Sequence, residues 1–152
     1  LEKEVIRKTN VMIEEKQAEI KFDENEDIRV FADDFYIEQV LTNYLTNAIK
    51  NVKEMYGEKY IKISNEINKE EQKVCIKVFN TGEQISEENL NRIWNRFYKA
   101  DESRHREDGG TGIGLAFVKA IMSNYDNKYG VKNLENGVEF YFELDMRQKG
   151  QS

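Results

Sequence analysis

The longest regular pattern in the chain runs over residues 35–55, where Ile37, Val40, Leu41, Tyr44, Leu45, Ala48, Ile49 and Val52 recur at three- and four-residue steps. That spacing places the apolar side chains on one stripe, so a core-facing helix is predicted, with Asp33 or Asp34 as its cap and Gly57 as its stop. Residues 60–67 and 73–79 alternate apolar and polar positions around a charged turn, which predicts a β-hairpin. Residues 128–133 and 138–146 predict a second hairpin, around the strong turn signal Glu135-Asn136-Gly137. Two shorter strands are expected at 20–22 and 28–32, divided by the acidic turn 23–27. Ser86 is positioned to cap a helix through residue 97, whose apolar face is Leu90, Ile93 and Trp94. A hydrophilic stretch, 99–111, follows, and helical periodicity resumes at Ile113, Leu115, Phe117, Val118 and Ile121. Over residues 1–19, Val5, Met12 and Ile13 stand at helical spacing among Lys and Glu, as in the end of a longer helix or a helical leader. Helices interspersed with hairpins are most economically arranged as an α+β fold. The expectation is a two-layer α/β sandwich in which helices cover one face of a mixed, mostly antiparallel sheet.

Composition narrows this picture. A chain of 152 residues, 39% hydrophobic and 34% charged, suits one compact domain with a real core. No stretch approaches the ~20 apolar residues that span a bilayer, and the first residues lack the basic-then-apolar order of a signal peptide. The single cysteine, Cys75, excludes an internal disulfide and a cysteine-based metal cluster, in keeping with a reducing cytoplasm. A formal net charge of -6 argues against a broad grip on nucleic acid and leaves room for a local cationic pocket.

Four places carry candidate chemistry. Asn43, Asn47 and Lys50 are spaced by four and three residues, so they share a stripe beside the apolar face of the first long helix. Such a stripe is either ordinary solvated surface or a place where an amide oxygen ligates a hard cation and a lysine reaches a phosphate. Gly110-Thr111-Gly112-Ile113-Gly114-Leu115 opens the next long helix. It reads as a flexible loop or as a phosphate cradle, since glycines permit close backbone approach and a helix N-terminus attracts anions. It has neither the spacing of a P-loop nor the position of a dinucleotide-binding turn. Phe79-Asn80-Thr81-Gly82 ends a strand and reads as a simple turn or as an amide that meets the edge of a base. Ile93-Trp94-Asn95-Arg96-Phe97-Tyr98-Lys99, with Arg104 and Arg106 downstream, interleaves aromatics with cations that can neutralise phosphoryl charge or simply lie on the surface.

In order and spacing, these segments resemble the catalytic domain of bacterial sensor histidine kinases, in the superfamily shared with DNA gyrase and certain heat-shock chaperones. Residues 39–50 look like the N box, 78–82 the first glycine box, 93–98 the F box and 110–115 the second glycine box; the similarity covers about 28–144. The resemblance implies ATP bound between the helical layer and a lid formed by residues 99–109. It implies Asn47 as the Mg²⁺ ligand, Asn43 and Lys50 at the phosphates, and Asn80 at the adenine edge with Gly82 and Ile85 nearby. It also implies Tyr98, Lys99 and the run Gly110, Thr111, Gly112, Ile113, Gly114 and Leu115 around the nucleotide, with Arg96, Lys99 or Arg104 assisting transfer. Residues 1–19 are then the end of a leader from a dimerisation domain, 20–147 the catalytic domain and 148–152 a disordered tail.

Hydrolysing relatives carry a glutamate general base where this chain has Asn43, and an amide cannot deprotonate water, which favours kinase over ATPase. The chain departs from the family at Asn80, where Asp is usual, at Gln84, where a glycine is usual, and at Lys99, where Arg is frequent. Its only histidine, His105, lies in the polar lid segment, so the phospho-acceptor is expected on a separate, upstream, dimeric domain. A response regulator is the expected downstream partner, with no nucleic acid and no direct membrane contact. The domain is expected in the cytoplasm, in a parent anchored in the bacterial membrane. The alternatives are an ATP-hydrolysing or serine-kinase relative, or a degenerate, non-catalytic interaction module.

Overall fold

The computed structural model describes residues 2–22, 34–95, 114–125 and 127–146. Its backbone is a five-stranded sheet with helices packed on one face. The elements are α1 (Glu2–Lys8), α2 (Asn10–Lys16), β1 (Glu19–Phe22), α3 (Asp34–Asn51), β2 (Tyr60–Asn68), β3 (Lys73–Thr81), a 3-10 turn at Arg92–Trp94, α4 (Gly114–Tyr125), β4 (Tyr129–Leu134) and β5 (Gly137–Asp145). The strand order is β1-β2-β3-β5-β4. The β1–β2 pair is parallel and the other three are antiparallel, as expected for a mixed, mostly antiparallel sheet. Among the described residues, no helix is long and apolar enough to cross a membrane.

All eight apolar residues of the predicted α3 stripe are buried, from Ile37 to Val52. They meet Ile61, Ile63, Val74, Ile76, Val78, Val138, Phe140, Phe142 and Leu144 from alternate positions of the sheet, and Val118, Ile121 and Met122 from α4. Tyr44 is the hub. Its ring packs 5.2 Å from Phe140, 5.7 Å from Phe142 and 6.4 Å from Trp94, and its hydroxyl donates to the Tyr141 carbonyl at 3.1 Å. Trp94 in turn meets Tyr129 edge-on at 5.1 Å, so it is a core anchor.

Several boundaries differ from the sequence reading, each for a visible reason. Helix α3 ends at Asn51, short of residue 55, because the Lys53 N–H leaves the helical ladder and donates to the Thr81 carbonyl at 2.9 Å. Gly57 belongs instead to a separate tight turn, in which Met55 and Glu58 exchange backbone hydrogen bonds and Tyr56 and Gly57 both take positive φ. The helix expected from Ser86 is replaced by single turns. The Ser86 and Asn89 carbonyls each accept two N–H groups, so no continuous ladder forms before the 3-10 turn that draws Ile93 and Trp94 inward. In place of the single helical stretch expected over residues 1–19, two short helices form, broken at Thr9, whose hydroxyl donates to the Val5 and Ile6 carbonyls; Val5 is fully buried, and α1 packs on α3. Gly137 lies in β5 rather than in the hairpin turn. A Cβ there would stand 2.0 Å from the Asn80 carbonyl oxygen, so close strand contact demands the glycine. Asp34 is the first residue of α3, and the strand expected at 28–32, a cap at Asp33 and the tail lie outside what is described.

Removing the Tyr44 hydroxyl in Tyr44→Phe should cost about 1 kcal/mol, and Tyr44→Ala about 4 kcal/mol, read as a fall in the urea midpoint at unchanged m-value. Cys75 points to the face of the sheet opposite Val74 and Ile76, and burial pushes its thiol from 9.0 to about 11. At pH 8 its thiolate should be about a hundredfold scarcer folded than unfolded, so disulfide reagents should label it far faster in urea than in buffer.

Candidate functional site

The site grows out of α3. Because Tyr44 and Leu45 are driven into the core, Asn43 and Asn47 fall on the helix flank, half buried. Asn51, two turns after Asn43, completes a row at i, i+4 and i+8 that covers about 12 Å of helix. The Asn43 Nδ2 donates to the Gln39 carbonyl at 2.9 Å, which leaves Oδ1 facing α4. A Cβ on Gly114 would lie 3.1 Å from that oxygen, so the first residue of α4 closes directly onto Asn43. Asn51 Nδ2 donates to the Asn47 carbonyl at 2.8 Å and to its Oδ1 at 3.3 Å.

The other end of the row meets the end of β3. Gly82 takes φ +154, and a Cβ there would stand 2.7 Å from the Asn51 carbonyl oxygen, so both backbone conformation and space require glycine. Asn80, 2% exposed, shares the helix-covered face of β3 with Val74, Ile76 and Val78. Its Nδ2 donates to the Thr81 carbonyl at 3.0 Å, while its Oδ1 is buried and accepts no hydrogen bond from the described residues. A buried, orphaned acceptor is costly unless a ligand satisfies it. Thr81, fully buried, holds this corner in place: its hydroxyl accepts from the Tyr60 N–H at 3.0 Å and donates to the Tyr60 carbonyl at 3.3 Å.

Of the residues nominated from sequence, Asn43, Asn47, Asn80, Gly82 and Gly114 are thus strung along one line from the start of α4 to the end of β3. Lys50 is half buried near the end of α3, where its carbonyl accepts from Lys16 Nζ at 3.4 Å. Ile85 is held against β4 by the Asn133 side chain, and Leu115 packs at the margin of the core. Arg96, Tyr98, Lys99, Arg104, Gly110, Thr111, Gly112 and Ile113 lie outside the described residues, as does His105. Asn51 and Asn133 escaped the sequence reading, and Thr81 stands in its motif there without a role of its own. The four-residue step from Asn47 was a usable signal for Asn51, whereas Thr81 and Asn133 act through contacts distant in sequence. An open groove beside α4, lined by Trp94, Asn95, Ala116, Lys119, Ala120 and Ser123, contains none of the nominated residues.

The donor set suits a cation only in company. No group of three or more His, Cys, Asp or Glu capable of holding a metal occurs among the described residues. Neutral amide oxygens such as that of Asn47 fit Mg²⁺ when phosphate supplies the negative charge, because Mg²⁺ keeps several waters and takes few protein ligands.

Comparison with known proteins gives this arrangement its context. The family model described as "Histidine kinase-, DNA gyrase B-, and HSP90-like ATPase" matches residues 32–148. Sensor histidine kinase YkoH of Bacillus subtilis is 37% identical over 110 residues, which is 72% of this chain and 23% of that protein. The nucleotide-free catalytic domain of histidine kinase ThkA superposes with a TM-score of 0.79 at 32% identity, over 95% of this chain and 89% of that one. ThkA in complex with response regulator protein TrrA gives a TM-score of 0.71 at 33% identity, over 93% of this chain and 38% of that one. The chain therefore spans about a quarter of its curated relative YkoH and nearly all of an isolated kinase catalytic domain. On the extent of the family match and the likeness to the ThkA domain, the chain belongs to the histidine kinase-, DNA gyrase B- and HSP90-like ATPase family.

Proposed function

We propose that this chain is the ATP-binding catalytic domain of a sensor histidine kinase and passes the γ-phosphoryl group to a histidine on a separate domain. The observation that carries this reading is the α3 amide row, which joins a helix N-terminus suited to phosphate with the orphaned Asn80 acceptor suited to a base. An extended nucleotide laid along that row meets acceptor and donor groups at both ends. Asn80 Oδ1 accepts from the 6-amino group of adenine, and the first N–H groups of α4, with Gly110, Thr111, Gly112 and Ile113, wrap the phosphates. Asn43 and Lys50 lie along the phosphate chain, and Asn47 would hold Mg²⁺, which draws negative charge off the phosphate oxygens.

The transfer step makes a bond between an imidazole nitrogen and the γ-phosphorus as the bond from that phosphorus to ADP breaks. Protein groups position the reactants and neutralise charge, the role assigned to Arg96, Lys99 and Arg104. Asn43 cannot act as a general base, so bound ATP waits for the histidine rather than for water. The sole histidine, His105, is not assigned as acceptor, and residues 1–19 are read as the link to an upstream, dimeric, histidine-bearing domain. ThkA's complex with a response regulator supports a regulator downstream of this chain too. The domain is placed in the cytoplasm, within a parent held in the bacterial membrane.

Calorimetric titration of Mg·ATP should give Mg²⁺-dependent binding that Asn47→Ala weakens about tenfold, the loss of one charge-assisted contact. Absence of binding to the wild type would favour a non-catalytic interaction module, and fast steady-state turnover would favour an ATPase. GTP should bind about tenfold or more weakly than ATP, because its 6-oxo group would face Asn80 Oδ1 with two acceptors and no proton. Asn80→Ala should narrow that preference.

A further inference from the structure

Four hydrogen bonds fasten the loop after Gly82 to the β4–β5 hairpin. The Gly82 N–H donates to the Asn136 carbonyl at 3.1 Å, and Gln84 Nε2 donates to the Leu134 carbonyl at 2.7 Å. Asn133 makes the other two. The Ile85 N–H donates to its Oδ1 at 2.9 Å, and its Nδ2 donates to the Ile85 carbonyl at 2.7 Å. One amide side chain thus grips both polar groups of a single residue, which requires a donor and an acceptor side by side.

This grip is placed where it bears on the base. In the sheet register, Asn133 pairs with Val138, and Val138 pairs with Asn80. The three residues form one row across β4, β5 and β3, so Asn133 and Asn80 rise from the same face two strands apart. The loop from Gly82 to Ile85 bridges the ends of that row. Gln84, which departs from the family's usual glycine, strengthens the bridge through its side chain.

We propose that Asn133 is a positioning residue for the nucleobase end of the nucleotide site. By holding Ile85 and the 82–85 loop in register with Asn80, it sets the affinity for ATP and the preference for adenine without touching the reacting phosphate. This rests on the assignment of Asn80 to the base.

The test is calorimetric titration of Mg·ATP and Mg·GTP into wild type, Asn133→Ala, Asn133→Asp and Gln84→Ala, with melting temperature and stoichiometry recorded for each. Asn133→Ala should raise the Kd for ATP about tenfold, at unchanged stoichiometry, and narrow the preference over GTP, because pre-organisation of the loop is lost. Asn133→Asp keeps the acceptor for the Ile85 N–H but sets a carboxylate against the Ile85 carbonyl. Its ATP affinity should recover relative to wild type as falling pH protonates that carboxyl and restores a donor. Should Asn133→Ala fail to fold, Gln84→Ala, which removes only an exposed side chain, must still raise the Kd. A merely structural role would lower melting temperature and stoichiometry and leave Kd, base preference and pH profile unchanged, and that result would overturn the proposal. Failure of wild type to bind ATP at all is distinguishable, since it overturns the nucleotide site itself and this proposal with it.

Discussion

The burial of Tyr44 is the constraint from which the site follows. Its ring is wedged among Phe140, Phe142 and Trp94 and its hydroxyl is satisfied by the Tyr141 carbonyl, so α3 has one rotational setting on the sheet. A helix turned about its axis would withdraw that ring and strand a polar group in the core. With Tyr44 inward, the residues beside it in sequence are held on the flank, and Asn43, Asn47 and Asn51 form a row fixed by their hydrogen bonds to the helix. The core thereby orients the polar side chains of the proposed nucleotide site.

The second dependence is on the corner where β3 ends. The Thr81 carbonyl takes the Lys53 N–H and so terminates α3, while the Thr81 hydroxyl clasps both backbone groups of Tyr60 at the start of β2. Gly137 lets β5 approach Asn80, and Gly82 lets the chain pass against the Asn51 carbonyl. Three elements are thus brought within hydrogen-bonding reach around one buried amide. Leaving Asn80 Oδ1 buried without a donor costs stability that a bound donor would recover.

Apart from Lys50, the chemistry is one of neutral groups. The described part of the proposed site presents amide oxygens, backbone N–H groups and glycines beside that one cation, with no carboxylate cluster. Such a surface accepts a polyanion with its own counter-cation and offers no general base for hydrolysis. That fits the proposed role, in which bound ATP is held until a second domain presents an acceptor.

Much of this was legible from sequence because it is written in short-range periodicity. The 3.6-residue recurrence from Ile37 to Val52 and the alternation in β2, β3 and β5 determined the fold class, and the order of the polar motifs carried the family resemblance and nominated Asn43, Asn47, Asn80 and Gly82. Element ends were not legible where a distant partner captured the chain. Thr81 stops α3, Trp94 is drawn toward Tyr129 in place of a regular helix after Ser86, and Gly137 answers to β3 rather than to its own turn. Asn133 was invisible for the same reason, since its partner Ile85 is 48 residues away and one asparagine in a strand carries no local pattern. Sequence alone nominated candidate residues for the chemistry, because composition and period act locally. Only the tertiary structure decided which of them meet, because hydrogen bonds between distant segments depend on register across the sheet and on the rotation of α3 upon it.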